Sequence, residues 1–271
     1  MNSVNTASFS FRATVGRAAM HREWVSHRLN RFLYAHVALV LVAGALPLLT
    51  PGDALARGAP WWLLHAVLYA VSLSALLLGL SSAQAEAEEF TWLLGQPAGP
   101  GPWLLGKAAA LAGLAGGSTL AIALPVMLAG GGSSGLTVVA LGAAAVAVVM
   151  AMAGLVIGFW IRDAVRGLIA AVAVWFTLVF GTDLLLLAVA GAPWVQANPD
   201  AWVAALMLNP LGAYRVTVLF AVEQAAFSGL AAGSLAGWWT KNAPLWLGVV
   251  TAASTTIFVV IAWLGARRQI D

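Results

Sequence analysis

The chain has 271 residues, 62% of them hydrophobic and only 8% charged, and its mean hydropathy is +0.92. A soluble domain of this length does not need so much apolar surface, so the composition predicts an all-α, polytopic membrane protein. The absence of cysteine excludes disulfides, thiolate metal sites and cysteine nucleophiles.

In chain order, residues 9–31 come first. They interleave Phe11, Val15, Ala18 or Ala19, Val25 and Leu29 with arginines and histidines, which predicts an amphipathic helix on the inner membrane face; a solvated basic leader is the alternative. The run 32–49 is long enough to cross a bilayer. Five arginines precede it and Ala54-Leu55-Ala56 follows, as in a signal peptide. The basic leader is long for that role, and the chain stays apolar afterwards, so retention of the segment is expected. Further spans are predicted at 60–82, 104–130, 136–160, 168–190 and 245–266, six in all. Gly113 with Gly117, and Gly154 with Gly158, give the small-residue spacing of helix packing faces.

With the N-terminus inside, ten of the thirteen Lys and Arg residues fall on the inner side. This predicts that both termini lie in the cytoplasm. Trp61, Trp62, Trp194, Trp238, Trp239 and Trp246 then fall near the outer interface. The basic balance reads as a topology signal, with no aromatic-interleaved patch for nucleic acid.

The cytoplasmic loop 83–103 carries Glu86, Glu88 and Glu89, then Phe90, Thr91, Trp92, Leu93, Leu94 and Gly95, and runs toward GPWLLGKA. That last stretch is one residue short of a phosphate-binding GxxxxGK[ST] loop. Ala108 stands where a magnesium-binding hydroxyl belongs, Pro97, Pro100 and Pro102 remove backbone donors, and a membrane span follows. ATP binding here is therefore not expected. Residues 90–95 are expected to form a short apolar helix able to enter a groove on a partner; a solvated acidic loop with a snorkelling Lys107 is the alternative.

The order of acids, Thr91, leucines, Pro97 and Gly106-Lys107 resembles the first intracellular loop of type-2 ABC transporter permeases. Phe90 stands where that family usually has glycine, and the stretch from Thr91 to Pro97 is short. WFTLVFGTDLLLLAV at 175–189 and LNPLGAYR at 208–215 are similar to the permeases that serve nitrous oxide reductase maturation. The resemblance implies a homodimer driven by two copies of a separate ABC ATPase. That partner holds the ATP and magnesium, and this chain holds no cofactor. It also implies Glu86 to Gly95 as the coupling segment and a sulfur species as cargo. A periplasmic copper-handling protein would dock on the extracytoplasmic segment 191–244, with membrane lipid around the spans. Another cargo (lipid, glycan, drug or ion) and a force-transmitting anchor are the competing readings.

Asp183 lies within the fifth span, where a carboxylate must be paired, protonated or facing water. It reads either as lining a polar path or dimer seam, or as locally hydrogen-bonded to Thr182 or a neighbouring helix. Asn209-Pro210 stops one helix and aims Arg215 from the next, so an Asp183–Arg215 pair is expected, with Asn209 and Tyr214 beside it. His21 and His27 do not share a helical face, and His36 and His65 stand in different spans, so no metal site is expected. No Ser-His-Asp signature supports a hydrolase.

Overall fold

Hydrocarbon offers backbone N–H and C=O groups no partner, so a chain of long apolar runs must satisfy them within helices. The computed structural model describes residues 2–49, 53–85, 100–129, 134–189, 191–222 and 234–268, and their regular elements are all helical. Six helices are long and apolar enough to cross a membrane: Arg31–Leu49, Gly58–Ala85, Pro100–Leu128, Gly135–Trp160, Ala164–Val189 and Lys241–Arg267. Side chains start two of them. Asn30 Oδ1 accepts from Phe32 N at 2.8 Å, and Asp163 Oδ1 accepts from Arg166 N at 2.7 Å. The third span begins earlier than expected, because Pro100 and Pro102 occupy its first turn, where a missing N–H costs nothing. Gly101 and Pro102 are thus helical. The last helix kinks at Asn242, whose backbone is non-helical just before Pro244.

The fourth span is the hub. In its most apolar window 72% of residues are buried, against 11% in the fifth span, whose Ile169, Val172 and Phe176 face outward. The second span lies directly on the fourth through glycine. A methyl group on Gly154 would overlap the Leu76 carbonyl oxygen, and one on Gly79 would overlap that of Ala151. Gly158 abuts Ala83 in the same seam, so the Gly154/Gly158 pair is a packing face. Gly113 and Gly117 are not: the nearest group to the first is Trp24 at 3.8 Å, and the second has nothing within 4 Å. The third span makes its close approach at Gly106 instead, against the Gly16 carbonyl of the N-terminal helix.

That N-terminal helix, Asn2–Ser26, is longer than expected and only partly a surface element. Ala19, Glu23 and His27 are buried, while Met20, Trp24 and Val25 are exposed. Its small and charged face is therefore docked against protein, and apolar side chains occupy the outer face. Three spans meet at His36, which is fully buried: Nδ1 lies 2.7 Å from Ser74 Oγ and Nε2 3.1 Å from Thr119 Oγ1. Each hydroxyl already has a backbone carbonyl within reach, Val71 O for Ser74 and Ala115 O for Thr119. Since neutral imidazole donates only once, one hydroxyl turns its proton to the ring.

Candidate functional site

Charged side chains inside a helical bundle need partners, and the described residues hold two such clusters. The first lies where the end of the second span and the start of the third meet the N-terminal helix. Lys107 Nζ is 2.8 Å from each carboxylate oxygen of Glu23, and the two side chains are 1% and 3% exposed. Ser82 Oγ donates to the same carboxylate. His27 Nδ1 donates to the Glu23 carbonyl oxygen at 2.9 Å and lies 3.3 Å from its Oε1. Lys107 therefore does not snorkel to water as the sequence suggested; the N-terminal helix brings a carboxylate to it. One anion thus ties the helix to the last turn of the second span and the first turns of the third. Beside it opens a cavity of about 420 Å³ lined by Glu23, His27, Asn30, Arg31, Ser81 and Lys107 among others.

The second cluster lies toward the opposite end, between the second and fifth spans. Each of these helices contains one π turn, at Val67–Val71 and at Thr177–Gly181. A π turn widens the helix and frees carbonyl groups, which need outside donors. Ser72 Oγ donates to Leu68 O and receives Trp175 Nε1–H at 2.9 Å. Across the gap, Asn209 Nδ2 donates to Leu178 O at 2.7 Å and lies 2.9 Å from Thr182 Oγ1. The two turns face each other through Tyr69 and Phe180, stacked at 5.7 Å with 14° between planes. Trp175 meets Phe180 edge-on at 6.0 Å.

The helices Pro199–Leu208 and Pro210–Val222 pack against the spans here and do not stand clear of them. Asn209 joins the two: its Oδ1 accepts from Leu211 N at 3.0 Å, starting the second helix, while its amide holds the fifth span. That geometry delivers Arg215 to Asp183 as a two-pronged pair, Nη1 to Oδ2 and Nη2 to Oδ1, each 2.6 Å. The pair anticipated from the sequence is present, and both side chains keep about a third of their surface exposed. Hydrogen bonding to Asp183 is the main cause that raises the Arg215 pKa above its ordinary value, so the guanidinium stays charged. A cavity of about 50 Å³ adjoins them, lined by Tyr69, Phe180, Asp183, Asn209 and Arg215 among others.

Tyr214 faces away from the pair. It is fully buried, its ring fills the space left by Gly142, and its hydroxyl has no hydrogen-bond partner among the described residues. Burial pushes its pKa up, so it stays a neutral phenol. It is a packing residue beside the site. Glu86, Glu88, Glu89, Phe90, Thr91, Trp92, Leu93, Leu94 and Gly95 lie outside the described residues. Among those described, no three His, Asp or Glu side chains converge as metal ligands would.

Sequence reasoning missed Glu23, Tyr69, Ser72, Trp175 and Phe180. For Glu23 a signal existed: it is the only carboxylate in residues 1–52, and Lys107 is one of two lysines in the chain. No pattern in the sequence marks a π turn.

Asp183→Asn and Arg215→Gln are each expected to lower stability by about 1 kcal/mol, the scale of a partly solvated pair. The double variant D183N/R215Q should cost less than the sum of the two in a denaturation cycle. Strictly additive effects would show that the two side chains act separately.

Compared with known proteins, the chain matches no protein-family model and no curated protein.

Proposed function

We propose that this chain is the membrane subunit of an ATP-driven exporter of the type-2 ABC class, acting as a homodimer with two copies of a separate ATPase. Energy enters as mechanical force, through docking of Glu86 to Gly95 in a groove on that ATPase. The observation that carries this reading is the Glu23 carboxylate. It holds Ser82, just before the loop, and Lys107, just after it. A pull on either end of the loop is therefore shared with the N-terminal helix and cannot dissipate in one span.

At the far end, the facing π turns supply the compliance that a rocking bundle needs, since their hydrogen bonds are carried by side chains that can let go. The Asp183–Arg215 pair latches the Pro210–Val222 helix to the fifth span. Its release would move segment 191–244, where a periplasmic copper-handling partner docks. The cargo, by likeness of 175–189 and 208–215, is a sulfur species for the copper-sulfide centre of nitrous oxide reductase. The small volume beside the pair, about 50 Å³, favours a second reading in which the chain passes force to that partner and no cargo crosses.

Alanine at Glu86, Glu88 and Glu89 together tests the coupling. The ATPase should remain bound less tightly and lose the stimulation that the membrane subunit gives it in vesicles. Unchanged stimulation would remove the loop from the mechanism. Sulfur-species flux measured in the same vesicles separates transport from force transmission.

A further inference from the structure

The fourth span ends at Trp160 and the sixth at Arg267. Between them opens a cavity of about 440 Å³ lined by Phe159, Trp160, Arg162, Gly265 and Arg268. Its walls are positioned by a specific contact. A methyl group on Gly265 would overlap the Trp160 indole, so glycine lets that ring lie against the sixth span, where Nε1 donates to Ile261 O at 3.0 Å.

Two guanidinium groups are then mounted on rings. Arg268 Cζ lies 4.9 Å from the Trp160 ring centre, and Arg267 Cζ lies 4.0 Å from that of Trp263. Ring stacking orients a guanidinium without using its N–H groups. Neither arginine pairs with a carboxylate among the described residues. Arg268 in the cavity wall and Arg267 next to it on the same helix thus each present a planar donor set of the kind that fits the oxygens of a phosphate group.

The surface beside the cavity indicates where that phosphate comes from. Ile257, Val260 and Leu264 are exposed by 55%, 49% and 45%, and their spacing puts them on one helical stripe that continues to Arg268. An apolar track ending on a cation matches an acyl chain ending on an anionic headgroup. Basic pockets between spans at a membrane interface recognise such headgroups.

We infer that Arg267 and Arg268, with Trp160 and Trp263, form a binding site for the phosphate headgroup of an anionic phospholipid at the junction of the fourth and sixth spans.

The test uses the full chain in nanodiscs of phosphatidylcholine into which phosphatidylglycerol is titrated, with retained lipid counted by native mass spectrometry. The wild type should retain phosphatidylglycerol preferentially. Each of Arg267→Gln and Arg268→Gln should lower retention about fivefold, and the double variant about 25-fold. Arg28→Gln, which removes one charge from the short His27–Leu29 turn after the N-terminal helix, should leave retention unchanged. The lysine pair R267K/R268K keeps charge and fold while losing the planar fork, and it should retain less than the wild type. Equal retention by the lysine pair or the glutamine pair, or an equal drop with Arg28→Gln, would overturn the site in favour of diffuse charge attraction. Displacement of the lipid by inorganic phosphate at matched concentration would overturn the lipid assignment and identify a soluble phosphate ligand.

Discussion

Lys107→Met is expected to destabilise the protein by about 3–5 kcal/mol, because it strands the Glu23 carboxylate in a protein interior. Glu23 is 3% exposed and Lys107 1%, so water cannot replace the lost partner. Ser82 supplies one hydrogen bond to the carboxylate, which offsets only part of the cost. The double variant E23Q/K107M removes both charges and should recover most of the loss, since a buried pair as a whole contributes little beyond a neutral replacement. Reversible denaturation in mixed micelles measures both. Should Lys107→Met unfold together with the wild type, the pair is not buried as described. The same comparison bears on function: if Glu23 brackets the loop, E23Q/K107M should fold yet couple poorly to the ATPase.

The second large effect is expected at the seam of the second and fourth spans. Gly154→Ala should cost about 1–3 kcal/mol, the range for forcing extra volume into a packed core. The obstacle is backbone, the Leu76 carbonyl oxygen and the Leu80 nitrogen, so no rotamer change can relieve it. Gly154→Leu should prevent assembly of the bundle. Gly117→Ala provides the contrast: with nothing within 4 Å of the added methyl, it should be tolerated. A tolerated Gly154→Leu, judged by monodisperse elution in detergent, would contradict the crossing of these two spans.

These two results depend on features that differ in how far the sequence shows them. The spans were legible because hydrocarbon imposes length and apolarity on each one separately, a property of contiguous residues. Span ends shifted by up to four residues, since Pro100, Pro102 and Asn242 act at the boundaries where local rules compete. The Asp183–Arg215 pair was legible for another reason: a carboxylate in a span demands a cation, and Asn209-Pro210 pointed to where one would come from.

The Glu23–Lys107 pair follows the same demand, but its partners are 84 residues apart. An arginine-rich helix reads as solvated until something shows which face is covered. Of the two glycine pairs, only 154/158 makes a seam, because spacing alone cannot say which helix lies opposite. The π turns were invisible. Val67–Val71 and Thr177–Gly181 hold ordinary helix-compatible residues, and what stabilises the wider turns is donated by Ser72, Asn209 and their neighbours in space.

Mild solubilisation of native membranes followed by affinity isolation of this chain asks whether it works as the membrane half of an ATP-driven complex. An ABC ATPase should be recovered with it at one copy per membrane subunit, two of each in the assembled particle, and alanine at Glu86, Glu88 and Glu89 should lower that recovery. Isolation of the chain as a stable, folded dimer or monomer without any ATPase, under conditions that keep other membrane complexes intact, would contradict that role.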